Sequence, residues 1–379
     1  MVANKEPDFT VGIEEEHLLV DRETRDLAND PPAAMLEECA YLCEGQVSPE
    51  FLRAQIEVGT RVCNTIDEAR WDLARLRRVI VQVAGRHGLA PIAASTHPFA
   101  HWLMQKRTEK DRYRALAREM QASARRLLIC GMHVHVGIDD DELRIDLMNQ
   151  LAYFLPHLLA MSCSSPFWEG ENTGLKSYRL TVFDALPRTG LPEPFASFAE
   201  YQRHVNVLIE AGVLEDATKI WWDLRPSARY PTLETRIMDV CTRLDDAVSL
   251  AALVVCLLRM LFRLRRSNQR WRIYARMLVN ENRWRARRYS FDDGLIDLAK
   301  GQVVPFETLL DELIELVLDD AEHLGCAQEV LRTRDILGRG TSAHRQVAIY
   351  EQAKADGAAE TEALQAVVDF LIEETARGL

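Results

Sequence analysis

Two histidines placed two residues apart are the side chains of this sequence best suited to metal chemistry. They lie in segment 130–138, which reads Cys-Gly-Met-His-Val-His-Val-Gly-Ile. Successive side chains of a β-strand point to opposite faces of a sheet. We therefore expect the apolar residues to face a core while His133 and His135 point into a cleft. The pair also fits a structural role on a polar sheet face, or a metal-dependent hydrolase built on a barrel, although the regular strand–helix alternation of a barrel is absent from the sequence.

A run of three glutamates in segment 12–16 (Gly-Ile-Glu-Glu-Glu) offers a second set of metal-binding groups. By the same alternation Glu14 and Glu16 share one face, and Glu15 points to the other. Two carboxylates side by side repel each other unless a cation lies between them. Hard oxygen ligands of this kind suit Mg²⁺ or Mn²⁺. The alternative is a charged strand end exposed to solvent.

Two further segments repeat this pattern of inward-pointing charge. In segment 53–60 Glu57 lies on the face opposite the apolar residues, and in segment 232–237 Glu234 shares a face with Arg236. Charged side chains that point inward need partners. Because purely structural strands rarely repeat such an arrangement, the four segments together predict one shared site.

Arginines in loop or strand-end positions form a second group, namely Arg179, Arg188 and Arg225. The guanidinium group of arginine suits two-point contacts with carboxylates and phosphates. The Arg-dense stretch 259–288 is typical of a solvated or salt-bridged helix face. The sequence has neither a Walker A motif nor a GxGxxG after a strand. If the protein uses ATP, metals and arginines must hold the phosphates directly.

These residues need strands that lie side by side, and the sequence predicts them over 9–20, 53–60, 219–225 and 232–240, with a shorter strand at 91–95. Helices are predicted over 108–126, 139–163 (kinked at Pro156), 198–213, 244–288, 303–323 and 344–376, and over 65–85 after a capping box of Thr65 and Glu68. Strands grouped early and in the middle of the chain, with helices between them, indicate an α+β fold with a largely antiparallel sheet.

The composition is that of a globular protein: 379 residues, of which 47% are hydrophobic and 27% charged. The net charge of −12 argues against a general nucleic-acid binder. Repeats and Pro/Gly/Ser-rich linkers are absent from the sequence, which favours a single domain over residues 1–379.

The cysteines and the apolar stretches point to a cytoplasmic protein without a membrane partner. Eight scattered cysteines without a CxxC motif indicate reduced thiols. The charged segment 1–7 has no apolar region of the kind found in secretory signals. Segment 247–262 is apolar but short and carries Arg259, so it predicts a buried helix and not a membrane span.

Several motifs in the same order resemble the glutamate–cysteine ligase type 2 family, and in particular its bacterial carboxylate–amine ligases. The resemblance covers about residues 8–351, leaving a predicted C-terminal helix at 352–379. The matching motifs are 12–16, 130–137, 186–190, 221–226 (Trp-Trp-Asp-Leu-Arg-Pro), 233–239 (Leu-Glu-Thr-Arg-Ile-Met-Asp), 281–287 and 340–346.

The resemblance implies a glutamine-synthetase-like catalytic fold, with a curved, mainly antiparallel sheet backed by helices. It implies ATP-dependent amide formation with Mg²⁺ or Mn²⁺, through an acyl phosphate that an amine attacks. The nominal substrates are glutamate and cysteine, giving γ-glutamylcysteine, and a homodimer is expected. Two other hypotheses are a metal-dependent amide hydrolase using the same cleft without ATP, and a non-catalytic binding descendant.

The resemblance also suggests roles for individual residues. It makes Arg179, Arg225 and Arg236 catalytic candidates, with Arg236 neutralising the transferred phosphoryl group. Candidates for binding the nucleotide are Arg188, Arg236, Asn282 and Arg285. The candidate metal ligands, which strand alternation supports independently, are Glu14, Glu16, Glu57, His133, His135 and Glu234.

Four residues depart from the family pattern: His17, Pro231, Thr235 and His344. They stand where the family has an aromatic residue, a glycine, a larger apolar residue and an aspartate. Since none of them replaces a candidate ligand, the departures bear on substrate identity more than on reaction type.

Overall fold

The computed structural model describes residues 5–379, so the first four residues of the charged N-terminal segment lie outside it. The strands are β1 (Val11–Asp21), β2 (Val47–Pro49), β3 (Gln55–Gly59), β4 (Leu89–Ile92), β5 (Met132–Gly137), β6 (Phe167–Trp168), β7 (Glu171–Asn172), β8 (Thr189–Gly190), β9 (Trp221–Trp222), β10 (Leu224–Pro226), β11 (Thr232–Thr235), β12 (Leu295–Asp297) and β13 (Gln302–Val304). The helices are α1 (Ala33–Leu42), α2 (Ile66–Arg86), α3 (Asp111–Arg125), α4 (Asp141–Leu151), α5 (Leu155–Ser162), α6 (Arg179–Phe183), α7 (Phe198–Glu210), α8 (Leu244–Arg266), α9 (Arg276–Tyr289), α10 (Phe306–His323), α11 (Ala327–Leu331), α12 (Thr333–Arg339), α13 (Ser342–Ala355) and α14 (Glu360–Ala376).

One 7-stranded sheet organises the molecule, in the order β10-β11-β5-β1-β3-β2 with β4 also paired to β1. Its strand pairs are antiparallel. The other strands form the small pairs β6–β7, β8–β9 and β12–β13. The prediction of an α+β fold with a largely antiparallel sheet is therefore confirmed.

Helices α2 and α8 pack against β1 and cover one face of the sheet. α2 begins after Thr65, whose hydroxyl accepts a hydrogen bond from the backbone N–H of Glu68 at 3.1 Å. Its apolar side chains at Leu73, Leu76 and Ile80 are buried, which is the face that helical spacing predicts. We call the face of the sheet that α2 and α8 cover the covered face.

Helix α8 forms the centre of the core. By length and composition it could cross a membrane, yet 83% of its most apolar window is buried inside the molecule. This agrees with the buried helix predicted at 247–262. The eight cysteines are all buried and unpaired, as the sequence predicts for reduced thiols.

Several predicted helix boundaries are wrong. The helix predicted at 139–163 is divided into α4 and α5 by a 3₁₀ turn at 152–154, and Pro156 lies in the first turn of α5. The prediction at 244–288 is divided into α8 and α9, and that at 344–376 into α13 and α14. The C-terminal helix therefore starts at Glu360 and not at 352. Helical spacing resumes after each break, so periodicity read over long windows joins the neighbouring helices.

Candidate active site

Three neighbouring strands bring Glu14, His135 and Glu234 together on the face of the sheet opposite α2 and α8, which we call the open face. In the register of β1 with β5, Glu14 lies opposite His133. In the register of β11 with β5, Glu234 lies opposite His135. The alternation of side chains along each strand decides which face of the sheet a residue occupies, and the strand registers decide which residues on that face are neighbours.

Glu14, His135 and Glu234 have the geometry of a metal site. Their ligand atoms all lie within 4.8 Å of one another. Nε2 of His135 is 3.6 Å from a Glu14 carboxylate oxygen and 4.0 Å from Oε1 of Glu234. This Nε2 is buried and has no hydrogen-bond partner within residues 5–379. A buried ring nitrogen facing two carboxylates fits a divalent cation bound to oxygen and imidazole ligands.

The protonation states of Glu14 and His133 also suit a cation. Burial alone would raise the pKa of Glu14, but His133 and His135 beside it hold that pKa well below its usual range. Burial, together with the positive charge of Arg236, lowers the pKa of His133 to about 4. Nδ1 of His133 lies 3.3 Å from Oε2 of Glu14. At neutral pH the site therefore contains an ionised carboxylate beside a neutral imidazole.

Glu16 and Glu57 form a second acidic group on the same face. They lie opposite each other in the register of β1 with β3. Burial and then the negative charge of Glu50 raise the pKa of Glu16 to about 7. Its Oε2 accepts a hydrogen bond from the backbone N–H of Gly131 at 2.8 Å. The six candidate ligands are thus divided between the two groups, with His133 bordering Glu14.

Arg225 and Arg236 both pair with Glu234. Nε of Arg225 lies 2.8 Å from Oε2 of Glu234, and its Nη1 donates to the carbonyls of Thr218 and Ile220 at 3.0 and 2.6 Å. Arg236 contacts Oε1 of Glu234 but leaves its buried Nε unpartnered within residues 5–379. Burial would raise the pKa of Glu234, yet the charges of Arg236 and Arg225 hold it well below its usual range. Arg225 is therefore an anchor for Glu234, whereas Arg236 keeps a donor free for a ligand.

Arg179 is buried at the start of α6, with its guanidinium beneath β11 and the residues after it. It donates to the backbone carbonyls of Ile237 and Arg236 at 3.3 and 3.2 Å. A Cβ atom at residue 131 would lie 2.4 Å from Nη2 of Arg179, so the glycine at that position permits the approach. Burial lowers the pKa of Arg179, and its Nε has no partner among the described residues.

The remaining predicted nucleotide-binding residues lie in structural contacts. Arg188 donates from Nε to the carbonyl of Lys219 at 3.0 Å and lies over the ring of Trp221. The amide of Asn282 exchanges two hydrogen bonds with the backbone of Ile296, at 2.8 and 2.7 Å. Arg285 donates to the carbonyls of 293 and 294. A role for these residues in nucleotide binding stays a prediction.

Thr232, which was not predicted from the sequence, orients the candidate metal ligand His135. Its hydroxyl lies 2.9 Å from Nδ1 of His135, which leaves Nε2 directed toward Glu14 and Glu234. Such outer contacts fix the ring of a metal-ligating histidine. Thr232 lies two residues before Glu234 on β11, so strand alternation places both side chains on the same face. This alternation is the sequence feature that could have identified Thr232.

Arg283, one residue from Asn282, was also not predicted from the sequence. Its guanidinium is buried and pairs with both Asp184 and Asp223. In a helix with charges on most of its faces, the sequence does not show which arginine points inward.

Three of the four departures from the family pattern lie in structural contacts, and the fourth is a buried threonine. His17 pairs with Glu15 at 3.1 Å, and His344 accepts the backbone N–H of Thr341 at 3.1 Å to cap α13. The carbonyl of Pro231 accepts the N–H of Ile138. The buried hydroxyl of Thr235 has no partner within residues 5–379.

Known proteins similar to this chain share its fold. The family model described as glutamate–cysteine ligase family 2 matches residues 10–369. A Rhodospirillum rubrum protein provisionally named glutamate–cysteine ligase 2 is 63% identical over 375 residues, covering 98% of this chain and 96% of the relative. A Paracoccus denitrificans protein of the same provisional name is 53% identical over 375 residues, covering 99% and 100%.

Two solved structures share the fold. The glutamate–cysteine ligase of Francisella tularensis, solved in complex with AMP, matches with a TM-score of 0.69 at 13% identity, covering 98% of this chain and 90% of that one. A bifunctional glutathione synthetase from Pasteurella multocida matches with a TM-score of 0.68 at 15% identity, covering 97% and 53%. The predicted glutamine-synthetase-like ligase fold is confirmed.

The fold and the sequence matches together define an enzyme of the ligase class that forms carbon–nitrogen bonds. The chain belongs to the glutamate–cysteine ligase family 2. The resemblance identified from the sequence motifs is therefore confirmed.

Proposed function

We propose that this protein is an ATP-dependent carboxylate–amine ligase that uses the open face of the sheet. The observation that carries the proposal is the convergence of Glu14, His135 and Glu234 within 4.8 Å, in a chain of the ligase family. Glutamate and cysteine are the nominal substrates, and γ-glutamylcysteine is the nominal product. Assembly as a homodimer remains a prediction from the family resemblance, and a cytoplasmic location remains a prediction from the cysteines and the apolar stretches.

The proposed reaction has two balanced steps. A carboxylate oxygen of the acid attacks the γ-phosphorus of ATP, which releases ADP and leaves an acyl phosphate. The amine nitrogen then attacks the acyl carbon, inorganic phosphate leaves with the bonding electron pair, and the amine proton passes to a nearby carboxylate or phosphate. Positioning and charge neutralisation supply most of the catalysis in phosphoryl transfer.

The chain provides the groups for that neutralisation. Glu14, His135 and Glu234 would hold Mg²⁺ or Mn²⁺, which supplies positive charge for the ATP phosphates when bound. Arg236 can release Glu234 and bind a phosphoryl oxygen instead. Glu234 would stay paired, because Nε and Nη2 of Arg225 lie 2.8 and 3.2 Å from its two carboxylate oxygens. Arg179 contacts the backbone carbonyl of Arg236 and adds positive charge on the open face of the sheet.

The test is an ADP-release screen over pairs of amino acids with Mg²⁺ or Mn²⁺, followed by mass spectrometry of the product. We expect ADP release that depends on both an acid and an amine. Glu14→Gln and Glu234→Gln should lower kcat by about 10²–10³-fold, since each removes charge that the transition state needs. Glu171→Gln, in the exposed strand β7, is the matched control and should keep the parent rate.

Each outcome distinguishes one hypothesis. Parent-level ADP release by both glutamate variants would contradict the proposed metal site. Amide cleavage without nucleotide would identify the hydrolase, and the absence of turnover with every pair would favour a binding protein.

A further inference from the structure

Arg283, on α9, makes the most extensive buried ion-pair contact near the open face. It is only 5% exposed. Its Nε and Nη2 lie 2.7 and 3.2 Å from the carboxylate of Asp223, and its Nη1 and Nη2 lie 2.8 Å from the two oxygens of Asp184. One planar guanidinium thus holds two carboxylates, each through two hydrogen bonds.

Both carboxylates lie close in the chain to the candidate catalytic arginines. Asp184 directly follows α6, the short helix that begins with Arg179. Asp223 lies two residues before Arg225, and its carbonyl accepts the backbone N–H of Arg236 at 2.7 Å. A shift of either aspartate would therefore move Arg179, or Arg225 and Arg236 together.

The backbone around Asp223 is fixed from a second direction. Its N–H donates to the carbonyl of Gly190 at 2.8 Å, next to the strand pair β8–β9. Asp184 receives a further contact from Arg287 at 3.1 Å. The charges of Asp223 and Asp184 overcome burial and raise the pKa of Arg283, so its guanidinium is charged at neutral pH.

We propose that Arg283 is a positioning residue of the ligase reaction, which fixes Arg225 and Arg236 around Glu234 and Arg179 against the backbone of Arg236. This inference rests on the proposed function. Arg283 acts through the two aspartates and the backbone that follows them, because its own nitrogens are used in these four contacts. A lysine cannot replace it, since one ammonium group lacks the planar fork that spans both carboxylates.

The test compares Arg283→Lys with a matched buried arginine. Arg259 and Arg263 hold Asp320 between α8 and α10, at 2.7 and 2.8 Å, and Asp320 is 0% exposed. Arg259→Lys disrupts a similar bridge on elements that provide none of the proposed active-site residues. Thermal unfolding of both variants measures the structural cost, and steady-state kinetics measure kcat and the KM for ATP.

We expect Arg283→Lys to lower kcat by about 10–100-fold, the size of effect caused by small misplacement of catalytic groups, while the KM for ATP stays close to the parent value. Arg259→Lys should lower Tm without changing kcat. If Arg283→Lys does not fold, Asp184→Asn provides a milder break in the same bridge, with a smaller loss of kcat in the same direction.

Two results would count against the proposal in different ways. A parent enzyme inactive with every amino-acid pair contradicts the proposed function and withdraws this inference with it. An active parent whose Arg283→Lys and Asp184→Asn variants keep the parent kcat, with or without the loss of Tm expected for Arg259→Lys, overturns the positioning role alone.

Discussion

The two faces of the central sheet use the same residue types for opposite purposes. On the covered face, Glu15 is 0% exposed, and Arg77 of α2 donates to it at 2.8 and 2.6 Å. Arg77 also donates to the carbonyls of Thr242 and Cys241, each at 2.8 Å. On the open face, one residue away in the chain, Glu14 is about one-third exposed and faces two imidazoles.

The two faces differ in how completely their arginines are paired. On the covered face the nitrogens of Arg77 are paired with protein oxygens, and the buried polar atoms without partners among the described residues include Nδ1 of His17 and the hydroxyl of Thr235. On the open face the unpartnered atoms include nitrogens of two charged arginines, Nε of Arg179 and Nε of Arg236, beside Nε2 of His135. Unpaired buried polar groups cost free energy. Arginine donors left unpaired beside a histidine that faces two carboxylates indicate a place where a ligand completes the contacts.

The largest expected effect lies on the covered face. Replacing Glu15 with Gln leaves the guanidinium of Arg77 buried without its counter-charge. We expect the free energy of unfolding to fall by about 3–5 kcal/mol, the usual cost of breaking a buried ion pair from one side. Urea denaturation followed by circular dichroism measures it.

Glu14→Gln is the comparison for that variant, because it changes the neighbouring carboxylate on the other face. Its free energy of unfolding should change by less than about 1 kcal/mol, as expected for a partly exposed pair. Equal destabilisation by the two variants would show that the faces do not differ in the way described.

A smaller effect is expected from Thr232, which orients His135. Thr232→Val removes the oxygen 2.9 Å from Nδ1 while keeping the size of the side chain. We expect Mn²⁺ affinity to fall by about 10–100-fold, the usual effect of losing an outer contact to a metal ligand. Isothermal titration calorimetry with Mn²⁺ measures this change.

Thr235→Val, on the same strand but with the opposite parity, is the matched control. Because the buried hydroxyl of Thr235 has no partner among the described residues, its removal should leave Mn²⁺ affinity unchanged and raise stability by about 1 kcal/mol. Equal loss of affinity in both variants would contradict the assigned orientation of His135.

Strand alternation predicted which side chains share a face, including the separation of Glu15 from Glu14 and Glu16. It could not predict which residues meet, because a register depends on contacts between distant strands. The pairing of Glu234 with His135 depends on the register of β11 with β5, so neither that pairing nor the role of Thr232 could be predicted from alternation.

The arginine predictions show the same limit. Arg179 and Arg236 lie at the open face, but Arg225 serves as an anchor for Glu234, and Asn282 and Arg285 hold the loop after α9. α9 carries five arginines in fourteen residues, so amphipathic periodicity does not identify the inward one. Only packing against Asp184 and Asp223 distinguishes Arg283.

A crystal structure with Mn²⁺ and an anomalous difference map at the manganese edge tests the proposed metal site most directly. We expect a peak within about 2.3 Å of a carboxylate oxygen of Glu14, Nε2 of His135 and a carboxylate oxygen of Glu234. Manganese bound only between Glu16 and Glu57, or only outside the open face, would contradict it.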